Sequence, residues 1–162
     1  MEVNNLRKLN DAVEGLLKQE AVRELVRKLK EENARSAEPF VWSVVDLRSV
    51  DRGLPERIKS CWVFVLKGGV PSGCHYHPNS VQHMVMTEGQ GESNVGGVRK
   101  RMARFGSVDR APDKAWYVIP EGVPHEFFPE GSDMVVVSFH TCAAEELEEV
   151  SCETGGSRLY EG

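Results

Sequence analysis

Apolar residues in the first part of the chain recur at the spacing of an amphipathic helix. From Leu6 to about Arg35 they stand three or four positions apart, while Lys, Arg and Glu occupy the other faces. No proline interrupts the pattern, and Gly15 marks the expected break between two helices. We therefore predict an N-terminal α-helical arm over residues 1–38 that packs on the rest of the domain. A partner-binding helix is the alternative.

After Pro39 the pattern changes to that of β-strands. Seven runs are rich in Val, Phe, Trp and other strand formers, and turns containing Gly or Pro separate them. The predicted strands are Phe40–Leu47, Cys61–Leu66, His83–Thr87, Val98–Phe105, Ala115–Ile119, His125–Phe128 and Met134–His140. Short strands at this spacing are typical of an all-β sandwich or barrel. We predict that residues 39–142 form this β domain and that the tail, residues 143–162, is a short helix or disordered.

The composition is that of a single globular domain. The chain has 162 residues, of which 40% are apolar and 28% charged, and its apolar runs are shorter than the ~18–20 residues of a membrane span. The first residues lack the apolar core of a secretory signal, so a cytoplasmic location and no membrane partner are expected. The acidic excess lies in the tail, where six Glu stand against Arg158 alone. Nucleic-acid binding would need a basic footprint, and the nearest candidate, residues 99–104, has the pattern of a strand, so we expect no nucleic-acid partner.

The cysteines show no Cys-x-x-Cys pairing. They are Cys61, Cys74, Cys142 and Cys152. In a chain expected to be cytoplasmic, this spacing predicts no disulfide framework. Cys61 opens a strand-like run and is expected to be a small buried filler, whereas Cys74 directly precedes a pair of histidines.

The clearest chemistry lies in three histidines from two separated segments. His75 and His77 are two positions apart, so in a strand their side chains project to the same side. His125 follows a tight turn at Pro120–Gly122. Three neutral imidazole nitrogens and a side-chain oxygen suit a divalent first-row metal with room for substrate or water. Ligands of this kind suit Zn, Fe, Ni, Mn or Cu alike.

These segments resemble the two sequence motifs of the cupin superfamily. The first motif is matched by Gly69, His75, His77 and Gly89. The second is matched by Pro120, Gly122 and His125. Gln82 stands where the family usually has Glu, and Lys114 and Pro129 replace the leading Gly and final Asn of the second motif. The resemblance covers roughly residues 41–141. It implies a jelly-roll β-barrel with one divalent transition metal inside its open end, a small-molecule ligand or substrate, and a homodimer.

The resemblance also implies a set of metal ligands. These are His75, His77, Gln82 and His125. If Gln82 points inward, Met84 and Met86 do so too and His83 faces outward, because side chains alternate along a strand. We favour Gln82 over His83, because the gap from Gln82 to Gly89 equals the family's Glu-to-Gly gap. The alternatives are a one-residue slip that turns His83 inward, and a Gln82 that binds water or substrate without binding the metal.

A neutral carboxamide in place of a carboxylate leaves the metal with more positive charge. Such a site binds oxyanions more tightly and further lowers the pKa of a bound water or hydroxy-substrate. It favours Lewis-acid isomerisation, ketonisation or elimination of a small oxygen-rich anion of the sugar-acid or keto/enol type. Some cupins that ketonise unsaturated sugar acids have a similar His, His, Gln, His set. A non-haem Fe(II) dioxygenase acting on a thiol or diketone, and a non-catalytic small-molecule-binding cupin, stay open.

The last predicted strand carries two further polar residues, Ser138 and His140. They share one face with Met134 and Val136, and if that face is the interior they lie near the metal. His140 would then be a general acid or base. Thiol dioxygenases, which are cupins with three His ligands, have a similar Ser-x-His-x-Tyr run, but here Cys142 stands in place of the Tyr. The alternative is a histidine at the rim.

Overall fold

The computed structural model describes residues 3–50, 53–108 and 111–161. Within these ranges the chain forms two α-helices, α1 (Val3–Lys18) and α2 (Glu20–Arg35), followed by eleven β-strands. The first six strands are β1 (Phe40–Val45), β2 (Ser60–Leu66), β3 (His75–Tyr76), β4 (Gln82–Glu88), β5 (Gly91–Val95) and β6 (Val98–Arg101). The other five are β7 (Trp116–Ile119), β8 (His125–Pro129), β9 (Met134–His140), β10 (Glu148–Ser151) and β11 (Ser157–Leu159).

The strands form two antiparallel sheets. One has the order β1-β2-β9-β4-β7 and the other β11-β10-β3-β8-β5-β6. The inner faces of both contribute to one buried cluster, in which Met84 and Trp62 of the first sheet meet Phe127 of the second. The predicted β class with a helical arm is thus confirmed as a two-sheet β-sandwich. The strand pairings of the described residues define two sheets and not one closed barrel.

The helical arm packs on the outer face of the five-stranded sheet. Its buried apolar residues are Leu6, Leu9, Ala12, Val13, Leu16, Val22, Val26 and Leu29. They share a cluster with the outward-facing Val63 of β2 and Val85 of β4, so the arm completes a second core layer behind the sheet. None of the described helices is long and apolar enough to cross a bilayer.

The break in the arm lies at Gln19 and not at the predicted Gly15. Gly15 is inside α1, whereas Gln19 is extended between the two helices. The guanidinium of Arg23 donates to the carbonyl oxygens of Leu17 and Lys18, at 3.3 and 2.7 Å. These carbonyls belong to the last turn of α1 and have no partner within it, so Arg23 stabilises the break.

All seven predicted strands are present, with ends that differ by a few residues in most of them. The largest difference is at β6, which ends at Arg101 where the sequence predicted a strand to Phe105. Met102 turns inward there, because its N–H donates to the carbonyl of Gly91 at 3.0 Å and its side chain is buried. The sequence did not predict β3, which has two residues, or β5, which is mostly polar.

The prediction of a helical or disordered tail was wrong. After a 3-10 turn at Ala144–Glu146, the tail forms the hairpin β10–β11, which extends the six-stranded sheet by pairing with β3. Leu147, Val150 and Tyr160 are buried in this arrangement. The surrounding glutamates had hidden this apolar pattern.

The prediction of no disulfide was also wrong. Cys74 and Cys152 form a disulfide bond. Their Cα atoms are 5.4 Å apart, and the two residues are 78 positions apart in the sequence. The main chain also joins them, since the N–H of Cys152 donates to the carbonyl of Cys74 at 3.0 Å. Their pairing depends on the return of the tail to β3, which the sequence reasoning had not foreseen. Cys61 is a free, buried residue, as predicted.

Candidate metal centre

The structure brings His75, His77 and His125 together at one point between the two sheets. His75 in β3 and His125 in β8 are cross-strand partners, with ring centroids 4.4 Å apart. His77 lies 5.2 Å from the ring of His75 and 5.3 Å from that of His125. One nitrogen of each ring lies within 4.8 Å of the others. Nitrogens bound to one ion at ~2.1 Å would lie within about 4 Å of one another, so small ring rotations would bring the three into ligand geometry.

Each histidine is oriented by an acceptor close to its Nδ1 atom. Nδ1 of His77 lies 2.8 Å from the carbonyl oxygen of Glu148, and Nδ1 of His125 lies 2.9 Å from that of Val123. Nδ1 of His75 lies 3.2 Å from Oε1 of Glu149. Acceptors at Nδ1 favour the tautomer that carries its proton there. The Nε2 lone pairs are therefore left for a metal.

Burial keeps these imidazoles neutral, which is the form that binds metals. Desolvation, together with the charge that His77 would carry, lowers the pKa of His75 to about 3. The pKa of His125 lies well below its ordinary value, because of burial and then the neighbouring His75 and His77. Burial also lowers the pKa of His77. At neutral pH the cluster presents three uncharged donors.

Two polar atoms at this point are buried without a hydrogen-bond partner among the described residues. They are Oε1 of Gln82 and Nε2 of His125. A buried unsatisfied polar group costs roughly 1–3 kcal/mol, and a metal ion would satisfy a carboxamide oxygen and an imidazole nitrogen together. The donor set, three neutral nitrogens and one neutral oxygen, fits a divalent first-row transition metal.

Gln82 and His83 point to opposite faces of β4. Gln82 lines the same internal cavity as His75 and His77, and Met84 and Met86 share its inward face. His83 is buried apart from the cluster, with Nδ1 3.3 Å from the carbonyl oxygen of Phe139. The alternation predicted for this strand is therefore observed, and the structure does not bring His83 into the cluster.

His140 and Ser138 lie behind the ligand cluster. His140 is the cross-strand partner of Gln82, and its ring centroid lies 5.1 Å from that of His77. Its Nδ1 lies 2.8 Å from Oγ of Ser80 and its Nε2 lies 3.3 Å from Oγ of Ser138. Both serines and His140 are buried. The three side chains form a hydrogen-bonded chain beside the cluster, and they are not among the residues that line the cavity in front of it.

The cavity in front of the histidines is small and mostly apolar. Its volume is about 30 Å³, which is room for about two water molecules. Its walls are Phe40, Phe64, Leu66, Ser72, His75, His77, Gln82, Met84, Phe127, Val136 and Tyr160. A groove of about 320 Å³ adjoins it and shares Phe40, Ser72 and His75. A ligand reaching the histidines from this groove would place only a few atoms in the cavity itself.

Sequence reasoning missed three residues that the tail brings to the site. Glu149 lies beside His75, Arg158 forms an ion pair with Glu149, and the phenol of Tyr160 packs 6.0 Å from the ring of His77. The guanidinium of Arg158 lies over the ring of Trp42, 5.0 Å from its centroid. Arg158 and Tyr160 are the tail's single cation and single aromatic residue. Their rarity in this acidic segment is the signal that could have identified them as candidate site residues.

No family model matches the sequence, and no curated protein matches it significantly. Among solved structures, the chain is similar to a salicylate 1,2-dioxygenase from Pseudaminobacter salicylatoxidans, at 13% identity and a TM-score of 0.53 over 72% of this chain and 33% of that one. The cupin domain of Cnp3 from Schizosaccharomyces pombe has 12% identity and a TM-score of 0.47, covering 64% of each chain. KdgF from Halomonas sp. has 16% identity and a TM-score of 0.48, over 66% of this chain and 85% of that one. This chain therefore spans about two thirds of the Cnp3 domain and a third of the dioxygenase.

Two independent observations support the resemblance that the sequence motifs indicated. The three motif histidines meet between the two sheets, and the salicylate 1,2-dioxygenase to which the chain is similar in fold is a cupin-domain protein. The resemblance drawn from the sequence motifs is confirmed for the fold, and this protein is a cupin-fold protein.

Proposed function

We propose that this protein is a metal-dependent cupin enzyme that acts on a small oxygen-rich anion. One divalent transition metal would be held by His75, His77, Gln82 and His125. The observation that carries the proposal is the convergence of three buried imidazoles beside two buried atoms, Oε1 of Gln82 and Nε2 of His125, that lack partners among the described residues.

The chemistry of the donors supports an anionic substrate. The four donors are uncharged, so a bound metal would keep its full double positive charge and act as a Lewis acid on a substrate oxygen. A sugar acid or keto acid offers the oxygens that such a site binds best. We propose isomerisation, ketonisation or elimination as the reaction class.

The apolar walls of the cavity would keep bulk water away from the reacting end of the substrate. Phe64, Leu66 and Val136 exclude bulk water from the space beside His75 and His77, and excluding water strengthens electrostatic interactions there. Because the cavity holds about 30 Å³, the reacting end of the substrate would enter it while the remainder lies in the adjoining groove.

We propose His140, with Ser138, as the group that takes up and returns a proton. His140 lies across from Gln82 in the sheet, and its Nε2 is within hydrogen-bond reach of Ser138 Oγ. A histidine held between two hydroxyl groups can accept a proton at one nitrogen while it donates from the other. Ser138 and Ser80 would therefore fix the orientation of the ring, and the proton would reach the ring by relay, since none of the three side chains lines the cavity.

Metal content tests the first half of the proposal. Protein purified without added metal should contain about one equivalent of a divalent transition metal, and the variant His77→Ala should lose it. His83→Ala is the matched control, since His83 is a buried histidine of the facing five-stranded sheet that points away from the cluster. Wild-type protein with less than ~0.1 equivalent, or equal metal content in the two variants, would contradict the proposal.

Proton exchange tests the second half. Small keto acids, hydroxy acids and unsaturated sugar acids are incubated with metal-loaded protein in D2O, and loss of the carbon-bound proton is followed by NMR. The wild type should exchange the proton next to the carbonyl of its substrate class. His140→Gln should slow the exchange by roughly 10²–10⁴-fold with unchanged metal content. Tight binding without exchange or turnover would instead favour a non-catalytic binding protein.

A dioxygenase is the second candidate, and the cavity itself is the observation that favours it. A mostly apolar space of about 30 Å³ beside three histidines has the size and polarity to admit a diatomic gas. Anaerobic loading with Fe(II), followed by oxygen-uptake measurements with thiols and diketones, would separate the two reactions. Uptake that depends on both Fe(II) and substrate would favour the dioxygenase.

A further inference from the structure

The C-terminal hairpin places a buried carboxylate against one of the three histidines. In the pairing of β10 with β3, Ser151 lies opposite His75, and Glu149 points to the same face as Ser151 because side chains alternate along the strand. Oε1 of Glu149 lies 3.2 Å from Nδ1 of His75, and the Glu149 side chain is 9% exposed. The contact therefore joins the end of the chain to the first histidine of the cluster.

The surroundings of Glu149 do not balance its charge fully. The other carboxylate oxygen, Oε2, forms an ion pair with Nε of Arg158, whose side chain is 43% exposed. A buried carboxylate needs close compensation, because removing it from water is costly. Arg158 is half in solvent, where its charge is screened. A divalent cation on the far side of the His75 ring would be the second positive charge that this carboxylate lacks.

The three histidines are also not equivalent. His77 and His125 direct Nδ1 at main-chain carbonyl oxygens of Glu148 and Val123, which carry no net charge. At His75 a carboxylate oxygen of Glu149 lies 3.2 Å from Nδ1, and the ring also has a hydrogen bond to the main chain of Gly73. A carboxylate that accepts the Nδ1 proton makes the opposite nitrogen a stronger ligand and fixes the plane of the ring. His75 is therefore the histidine whose strength as a ligand depends on a side chain.

We propose that Glu149 is a positioning residue for the metal, acting through His75, and that the C-terminal hairpin is by this contact a part of the metal centre. The inference rests on the proposed function, since it assigns a partner to one of the proposed ligands. It also adds one negative charge next to four neutral donors, which moderates the charge that the metal presents to a substrate.

The test compares metal affinity in three variants of the full chain. Glu149→Ala removes the acceptor and its charge, while Glu149→Gln keeps an acceptor oxygen and removes the charge alone. Glu148→Gln is the matched control one position earlier, because Glu148 contacts the cluster through its main-chain carbonyl. Each metal-free protein is titrated with Zn(II) in competition with a chromophoric chelator, and Co(II) absorption spectra report the geometry of the ligands.

We expect Glu149→Ala to weaken Zn(II) binding by about 10–100-fold, with a smaller loss in Glu149→Gln and none in Glu148→Gln. The Co(II) bands should shift in both Glu149 variants, a change that a general loss of stability would not produce. If Glu149→Ala does not fold, Glu149→Gln, which keeps the shape of the side chain, decides the question. Unchanged affinity and spectra in the Glu149 variants would overturn this inference and leave the proposed function standing. A wild type that binds neither metal would overturn both.

Discussion

The disulfide between Cys74 and Cys152 gives a prediction whose size follows from the structure. It closes a loop of 78 residues that contains most of both sheets. In the chain-entropy account, a cross-link of that span lowers the entropy of the unfolded chain by about 15 cal/mol/K, or about 4.5 kcal/mol at 25 °C. Replacing Cys152 with Ser should therefore lower the free energy of unfolding by about 2–5 kcal/mol, the range found when native disulfides are removed.

The folded state should change little in this variant. The hairpin stays paired with β3 through main-chain hydrogen bonds, including that from residue 152 to Cys74, and the ring of Tyr160 stays buried. The loss should appear as a lower urea midpoint with a somewhat steeper slope, because the unfolded chain without the cross-link exposes more surface, and as a fall in Tm of roughly 5–20 °C for a chain of this length. Cys152 is the better position to change, because Cys74 adjoins the proposed metal ligand His75.

The assay is urea unfolding followed by the fluorescence of the three tryptophans, with and without reductant. Reductant should destabilise the wild type and leave Cys152→Ser unchanged. Alkylation and mass spectrometry should count two free thiols in the unfolded wild type before reduction and four after it. Four reactive thiols before reduction, or equal stability of wild type and variant, would refute the reasoning.

Three further predictions concern stability. Leu9→Ala in α1 should lower the free energy of unfolding by about 2–5 kcal/mol, because the side chain is fully buried between the arm and the sheet; a change below about 1 kcal/mol in urea unfolding would mean that the arm is not part of the core. Asn33→Ala should cost about 1–3 kcal/mol, because the buried Asn33 amide donates to Oδ2 of Asp133 at 3.1 Å; calorimetry would measure the loss, and an unchanged Tm would contradict it. Burial lowers the pKa of His83 to about 4, so below pH ~6.5 the unfolded chain binds a proton that the folded chain does not, and stability should fall between pH 6.5 and 4. His83→Gln should make that fall in Tm of the metal-free protein smaller without abolishing it, because the other buried histidines also have lowered pKa values, and equal pH slopes would contradict this cause.

The parts of the fold that the sequence predicted well are those with a regular apolar pattern. β9, Met134–His140, is buried on both faces between β2 and β4 and was predicted with its observed ends. The alternation in β4 placed Gln82 inward and His83 outward, because a strand with one face toward each core cannot slip by one residue. The convergence of His75, His77 and His125 followed from motif spacing, and it is observed.

The parts that failed depend on contacts between distant residues. The tail has six glutamates, and its few apolar residues become interpretable only when Leu147 and Tyr160 are seen to join the buried cluster between the sheets. The disulfide needs that same return of the chain to β3. Glu149 was hidden among neighbouring glutamates, since a carboxylate facing a histidine and one facing water have the same sequence pattern.

The compartment and the oligomeric state stay predictions. The cytoplasmic location was inferred from the sequence alone, and disulfides of this kind persist mainly in oxidising compartments. The redox state of Cys74 and Cys152 in intact cells would test it. The homodimer was expected from the family resemblance, and the helical arm covers the outer face of the five-stranded sheet, so that face is not available for such a contact.

The position of β10 and β11 near the end of the sequence has a consequence during synthesis. A ribosome making 5–20 residues per second needs roughly 2–7 s to proceed from His125 to Tyr160. In the first part of that interval the nascent chain already holds all four proposed ligands, while β3 is the outer strand of its sheet and Glu149 has not yet been added. A metal ion that binds during this time would therefore be held more weakly, by ligands that are more exposed to solvent. The hairpin β10–β11 would cover the site afterwards.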